Sequence, residues 1–332
     1  MNDAPTWQQR LVEGWLGFWF PLPEPRVKLA LIRIGTGLLL LYVLYVRSFD
    51  LEPLFSRADL PHAPELDQMN PVGWKIGLMQ WFPGGHWLWT VHVVAILLAL
   101  LLVVGFFGPL CAFLSLLIQA AYAQHNPAMV ISLDGLIMVA LFYLMLTPSG
   151  KVLGVLSRFE LAPTPQPHER KAEGFAAFLG EFPWAGLGMR MLQIHLCLLY
   201  FHSALGKMSG PWMHGIAFWH PRLLSIEAPL TLQGLQDQST LVSLIVFGLV
   251  LFELAYSILI WLPRFRYPVM MAAIVIHLGL MAGWGQVPFN LLMIVLNLVF
   301  LSDAHLELIY QRLGPWLRLP WLGNATRGQP RD

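Results

Sequence analysis

Apolar residues fill this chain in whole blocks, separated by short breaks rich in Pro, Gly, Trp and charge. Eight blocks approach the roughly 17–25 residues that cross a bilayer as a helix. They are Leu29–Val46, Trp87–Gly105, Leu110–Ala123, Ile131–Thr147, Gly188–Leu205, Thr240–Leu262, Pro268–Gly283 and Pro288–Ser302. The third and the last two are short, as tilted, hairpin-paired or partly spanning helices would be. Backbone polar groups in lipid must bond within their own segment, so the pattern predicts an all-α polytopic membrane bundle of about eight (seven to nine) transmembrane helices.

Ahead of the first block, Trp7, Leu11, Trp15 and Phe18 recur at helical spacing, and Pro21, Pro23 and Pro25 stop the run. Residues 1–28 are therefore predicted to be an amphipathic segment lying in the membrane interface. Asp3, Glu13 and Glu24 interrupt it, so a cleavable signal peptide is not expected. Residues 29–303 read as one transmembrane domain and residues 304–332 as a basic cytoplasmic tail. Two elaborated loops, Arg47–His86 and Lys207–Ser239, are expected on the outer side, and the proline-broken linker Pro148–Leu187 on the inner side.

Composition sharpens this reading. Hydrophobic residues make up 57% of the 332 and charged residues 12%, with a mean hydropathy of +0.61, which excludes an ordinary soluble domain. The lipid bilayer is the expected partner and nucleic acid is not. With the N-terminus inside, the inner segments carry fourteen Lys and Arg and the outer loops only five (Arg47, Arg57, Lys75, Lys207 and Arg222), while Arg33 lies in the first span. The bias predicts both termini in the cytoplasm of a bacterial inner membrane and Lys207 on the outer side. Many of the 14 Trp fall near span ends, as interfacial anchors do. Cys111 and Cys197 lie within spans, and neither a disulfide nor a thiol metal site is expected.

An ionisable group within a span costs roughly 2.5–3.5 kcal/mol on insertion scales. Arg33 sits early in the first span, where snorkelling to the inner headgroups accounts for it. Asp134 opens the fourth span, where capping by the helix dipole accounts for it. Glu253 is deeper and needs a partner or a proton. His277 lies mid-span, and Asn290 and Asn297 share one stripe of the last span, where side-chain amides join helices. His195 and His202 are seven residues apart, about 10.5 Å along a helix, too far to share a metal ion. No metal site is expected.

The densest polar cluster is Tyr200–His220, YFHSALGKMSGPWMHGIAFWH. His202 precedes Lys207, and Trp212 and His214 follow it. No Asp or Glu occurs between Phe182 and Ile226, so no sequence neighbour neutralises Lys207. Such a lysine either snorkels to a headgroup or serves as a base of lowered pKa. Lys207, His202, Trp212 and Asp134 are expected to line an outward cavity, which Glu253 and His277 either reach or leave by pairing with each other.

Tyr200, Phe201, Ala204, Lys207, Trp212 and Gly215 resemble, in order and spacing, a motif of the HTTM (horizontally transferred transmembrane) family. Its best-known members are the vitamin K-dependent gamma-glutamyl carboxylases. Arg33, Glu253, the turn Pro263-Arg264-Phe265-Arg266, His277 and Phe289 extend the resemblance over about Leu29 to Asp303. It implies a quinol-dependent membrane enzyme of the lyase type. Lys207 would be its general base and His202 its catalytic neighbour. Trp212, His214, Asp134, Arg33, Glu253, His277 and Asn290 would contribute to substrate binding. The implied cofactor is reduced menaquinone or a vitamin K-type hydroquinone.

The chain departs from that pattern at Gly206, where the carboxylases carry a first lysine, and at Asp134, near which they place a histidine. No counterpart of their large lumenal domain is expected, and with it no carboxylation of a docked protein. The alternative is a non-catalytic maturation or immunity-type partner of a secreted peptide. A transporter would show broken helices or repeats. The charge bias is checked directly: a cysteine introduced between Arg57 and Lys75 is expected to react with an impermeant maleimide in intact cells, and one introduced between Arg158 and Arg170 only after lysis.

Overall fold

The computed structural model describes residues 7–19, 26–55, 85–147, 149, 184–219, 238–302 and 305. Most of the Arg47–His86 loop, the Pro148–Leu187 linker, the second half of the Lys207–Ser239 connection and the tail lie outside the described residues. The described residues are helical, without strands: α1 (Trp7–Trp19), α2 (Arg26–Phe49), α3 (Leu51–Phe55), α4 (Gly85–Val104), α5 (Gly108–His125), α6 (Ser132–Met145), α7 (Trp184–Lys207), α8 (Gly210–Met213), α9 (Ser239–Leu259), α10 (Pro263–Trp284) and α11 (Val287–Asn297). Four are long and apolar enough to cross a membrane, namely α2 from Lys28, α4, α9 and α10; α6 and α11 are shorter apolar helices. Each of the eight apolar blocks falls on a helix, but the length and composition for spanning are met by these four.

The chain divides into two compact units, one of Met1–Met129, Leu141–Arg190 and Leu301–Asp332, the other of Val130–Ala140 and Met191–Phe300. In the first unit α2 packs along α4, and α4 along α5. Gly37 lets α2 approach α4, since a Cβ there would press on Val103. Large apolar side chains on α2 and α4 remain exposed, among them Leu38, Tyr45, Val93 and Leu97. An apolar exterior over a close-packed interior is what a lipid solvent permits. In α1, Trp7, Leu11, Trp15 and Phe18 are exposed as well, while the Arg190 guanidinium lies 4.4 Å from the Phe18 ring centroid.

Several polar side chains within this unit are bonded to one another. Tyr122 and His92 share a 2.8 Å hydrogen bond, and His92 bonds Ser48 at 2.9 Å. Arg47 donates to Gln119 Oε1 at 2.8 Å and lies 5.0 Å over the Tyr122 ring. Arg33 does not snorkel: it is fully buried, and its Nη1 donates to the Ser149 carbonyl. The reason is the turn after α4, where Gly105 at φ 78° leaves the space that the guanidinium occupies.

The second unit is built from the start of α6 and from α7 to α11. Helix α10 begins with Pro263 in its first turn and ends at Gly285, φ 78°. Gln286 follows at φ 51° and caps α11, whose first turn holds Pro288. Two successive residues of positive φ reverse the chain tightly, so α10 and α11 pack as a hairpin. The other apolar focus is Phe218, Val242, Val246 and Trp284, covered by Trp212, Trp219, Leu249 and Leu280.

Gly105→Ala tests the seat of Arg33. An added Cβ meets the guanidinium and also takes an unfavourable backbone conformation, so a loss of roughly 2 kcal/mol or more is expected, read as a lowered midpoint of thermal unfolding in detergent. Gly14→Ala, in open space on α1, should leave that midpoint unchanged.

Candidate functional site

Helix α7 carries the site. Its last turn presents Ser203 and Lys207 on one face, four residues apart, and Lys207 falls where a helix C-terminus favours a cation. The turn is closed by the Met208 amide donating to the Ala204 carbonyl and by Ser209 Oγ donating to the Gly206 carbonyl. Pro211 then starts α8, so the chain leaves the helix immediately after the lysine.

Lys207 has a counter-ion that its sequence neighbours do not supply. Its Nζ donates to Glu253 Oε1 at 2.8 Å and to Oε2 at 3.1 Å. It also donates to Ser203 Oγ, and Ser203 Oγ donates to Glu253 Oε1 at 3.1 Å. Both charged side chains keep a little exposure, 14% for Lys207 and 13% for Glu253. The Trp212 ring centroid lies 5.8 Å from the ammonium, and Trp212 rests on Trp284 at 6.1 Å between centroids. The expected choice between a snorkelling lysine and an uncompensated one is therefore replaced by a third state, a paired cation.

The pair lines a cavity of about 540 Å³ within the second unit. Its walls are mostly apolar: Leu136 and Val139 of α6, Leu199 of α7, Leu249 of α9, Leu280 of α10, and Phe289 and Met293 of α11. Its polar lining includes His202, Tyr200, Ser203, Gln286, His277 and Asn290 beside Lys207 and Glu253. A mainly apolar chamber of this size with a few convergent polar groups is the usual form of a small-molecule site.

From the wall residues Tyr200, His277 and Asn290 a buried hydrogen-bond chain runs into the bundle, and its direction can be worked out. The Asn290 amide nitrogen donates to the carbonyls of Gly285 and Gln286, which turns Oδ1 toward His277 Nδ1, 2.8 Å away. An amide oxygen only accepts, so Nδ1 carries the proton and neutral His277 accepts at Nε2 from Tyr200 OH, 2.8 Å away. Asn297 donates to the Met293 carbonyl and to Tyr200 OH, and accepts from Tyr256 OH at 2.6 Å. His277 and Glu253 are thus not paired with each other. His277 is held by Tyr200 and Asn290, and Glu253 by Lys207 and Ser203.

The remaining expected site residues lie elsewhere. Asp134 is buried and its carboxylate accepts from the Ile131 amide at 3.1 Å at the start of α6, a capping arrangement; it does not appear on the cavity wall. Trp212 touches the lysine from outside the wall. His214 is exposed and its Nδ1 donates to the Gly210 carbonyl at 2.7 Å. Arg33 belongs to the first unit. Ser203, Tyr256, Trp284 and Gln286 were not singled out by sequence. Ser203 carried a signal, being one helical turn before Lys207, as did Gln286, in the Gly285-to-Pro288 corner.

No protein-family model, curated protein or solved structure matches this chain.

Removing one member of a partly buried ion pair strands the other in apolar surroundings, at roughly 3–5 kcal/mol. Lys207→Ala and Glu253→Ala are each expected to lower thermal stability in detergent. The double variant should recover much of the loss, and a double-mutant cycle on unfolding midpoints reads the coupling. Additive losses would mean that the contact contributes nothing.

Proposed function

We propose that this chain is a membrane enzyme of the bacterial inner membrane that removes a proton from a lipid-phase substrate in the cavity of its second unit. The activity depends on Lys207. The observation that carries this reading is the Lys207–Glu253–Ser203 cluster set into a chamber whose walls are otherwise mostly apolar. A proton-transfer group is useful to a lipid-soluble molecule only where both the apolar body and the reactive group are accommodated, and this chamber offers both.

The HTTM resemblance names the substrate class: a quinol such as reduced menaquinone or a vitamin K-type hydroquinone. The cavity fits such a group in kind. Its volume of about 540 Å³ lies within the 300–1,000 Å³ of small-molecule sites, and Leu136, Leu199, Leu280 and Phe289 suit a ring and the start of an isoprenoid tail. Bound there, a quinol would supply the oxygen-dependent chemistry that the resemblance implies. The chain's own residues hold the molecule away from water and set a charged pair beside its hydroxyl. The apolar blocks support a multi-pass arrangement of about eight helices, and the charge bias supports both termini inside with Lys207 on the outer side.

The test follows epoxide formation from reduced menaquinone and oxygen by protein in lipid nanodiscs. Wild type should produce epoxide, and Lys207→Ala should lose about 100-fold or more of the rate, the scale of a general acid–base contribution. Equal background signals from two folded proteins would overturn the enzyme reading in favour of a non-catalytic membrane partner of a secreted peptide.

A further inference from the structure

The lysine in this cluster has no spare valence. An ammonium carries three N–H donors, and Nζ meets three acceptors: Ser203 Oγ, Glu253 Oε1 and Glu253 Oε2. Its lone pair is occupied by the third proton, and all three protons are committed. Of the two carboxylate oxygens, Oε1 accepts twice, from Lys207 and from Ser203. Oε2 accepts once, at 3.1 Å. Carboxylate and hydroxyl oxygens each have two lone-pair sites, so among the described residues the cluster keeps one acceptor position on Glu253 Oε2 and one on Ser203 Oγ; only the first belongs to an anion able to take a proton, and Glu253 lines the cavity.

We infer that Glu253, rather than Lys207, is the group that meets the substrate's proton, and that the cavity selects apolar molecules carrying an O–H donor. This rests on the reading of the cavity as a proton-abstraction site and assigns the accepting atom within it. Lys207 is then a positioning residue that keeps the carboxylate ionised and oriented. The step balances within the cluster. The ligand's O–H bond breaks, its proton forms a new O–H bond at Oε2, and the electron pair stays on the ligand oxygen. The ligand anion takes the carboxylate's place beside the ammonium, so the charge of the cluster is the same before and after. Ser203, by donating to Oε1, leaves Oε2 as the oxygen that changes partner. His277 does not compete, since both its ring nitrogens are engaged by Tyr200 and Asn290.

Two naphthalenes of nearly equal shape test this without turnover, oxygen or a quinol. 2-Naphthol offers an O–H donor and 2-methoxynaphthalene does not. Equilibrium dialysis against protein in nanodiscs, with empty nanodiscs as reference, gives the ratio of their affinities. A hydrogen bond to a charged acceptor should favour the naphthol by about tenfold or more in wild type. Lys207→Arg, which keeps the cation and cannot serve as a base, should retain the preference. Glu253→Gln should reduce it to within about twofold, a benchmark set well below that hydrogen-bond effect.

A preference that vanishes in Lys207→Arg and survives in Glu253→Gln makes the lysine the acceptor and overturns the inference, as does the absence of any preference in wild type. Should Glu253→Gln fail to fold, infrared difference spectra of wild type labelled with carbon-13 glutamate decide. Naphthol should perturb an isotope-shifted carboxylate band and methoxynaphthalene should not; no shifted band overturns the inference. Failure of the epoxide assay with the donor preference intact would reject the quinol and leave Glu253 as the acceptor.

Discussion

The contact between Lys207 and Glu253 organises the second unit, because neither partner is tolerable there without the other. Each alone would place a net charge among leucines, phenylalanines and tryptophans; together they are neutral and still polar. Ser203 is the third member that this economy requires, since it gives the ammonium an acceptor and the carboxylate a donor. The pair also ties α7 to α9, two helices separated in sequence by the whole Lys207–Ser239 connection. On the wall of the mostly apolar cavity, Tyr200, His277 and Asn290 have found partners within the protein.

The aromatic residues around the pair act as its insulation. Trp212 lies near the ammonium and stacks on Trp284, which in turn packs on Phe218 at 5.1 Å. Of these rings, Trp212 offers the cation its negative π-face. The rings come from α8, the end of α10 and the turn after α8, so the short elements following Lys207 serve to close the site.

What the sequence revealed depended on how local the cause was. The helices could be read because a bilayer demands long apolar runs, a property of consecutive residues. The cluster around Lys207 stood out because polar residues were concentrated in one stretch. Its counter-ion did not, because Glu253 lies 46 residues downstream and nothing in the local sequence states that α9 crosses α7 at that level. Arg33 was misread for the same reason: its partner, the Ser149 carbonyl, lies past the end of α6, and the room for its guanidinium is made by a glycine far along the chain. For Asp134 the cause is local: its carboxylate bonds the Ile131 amide at its own helix start.

The chain of hydrogen bonds from Tyr256 to Asn290 has a consequence for the mouth of the cavity. Each member has its donor and acceptor assigned by the next, so no single hydroxyl or amide can turn round without forcing its neighbours to turn as well. At the far end the chain grips the carbonyls of Gly285 and Gln286, the two positive-φ residues of the corner between α10 and α11. Gln286, which lines the cavity, is therefore latched to a tyrosine three helices away in sequence order. The rim of the chamber inherits its rigidity from the packing of the bundle and behaves as part of the frame rather than as a loop.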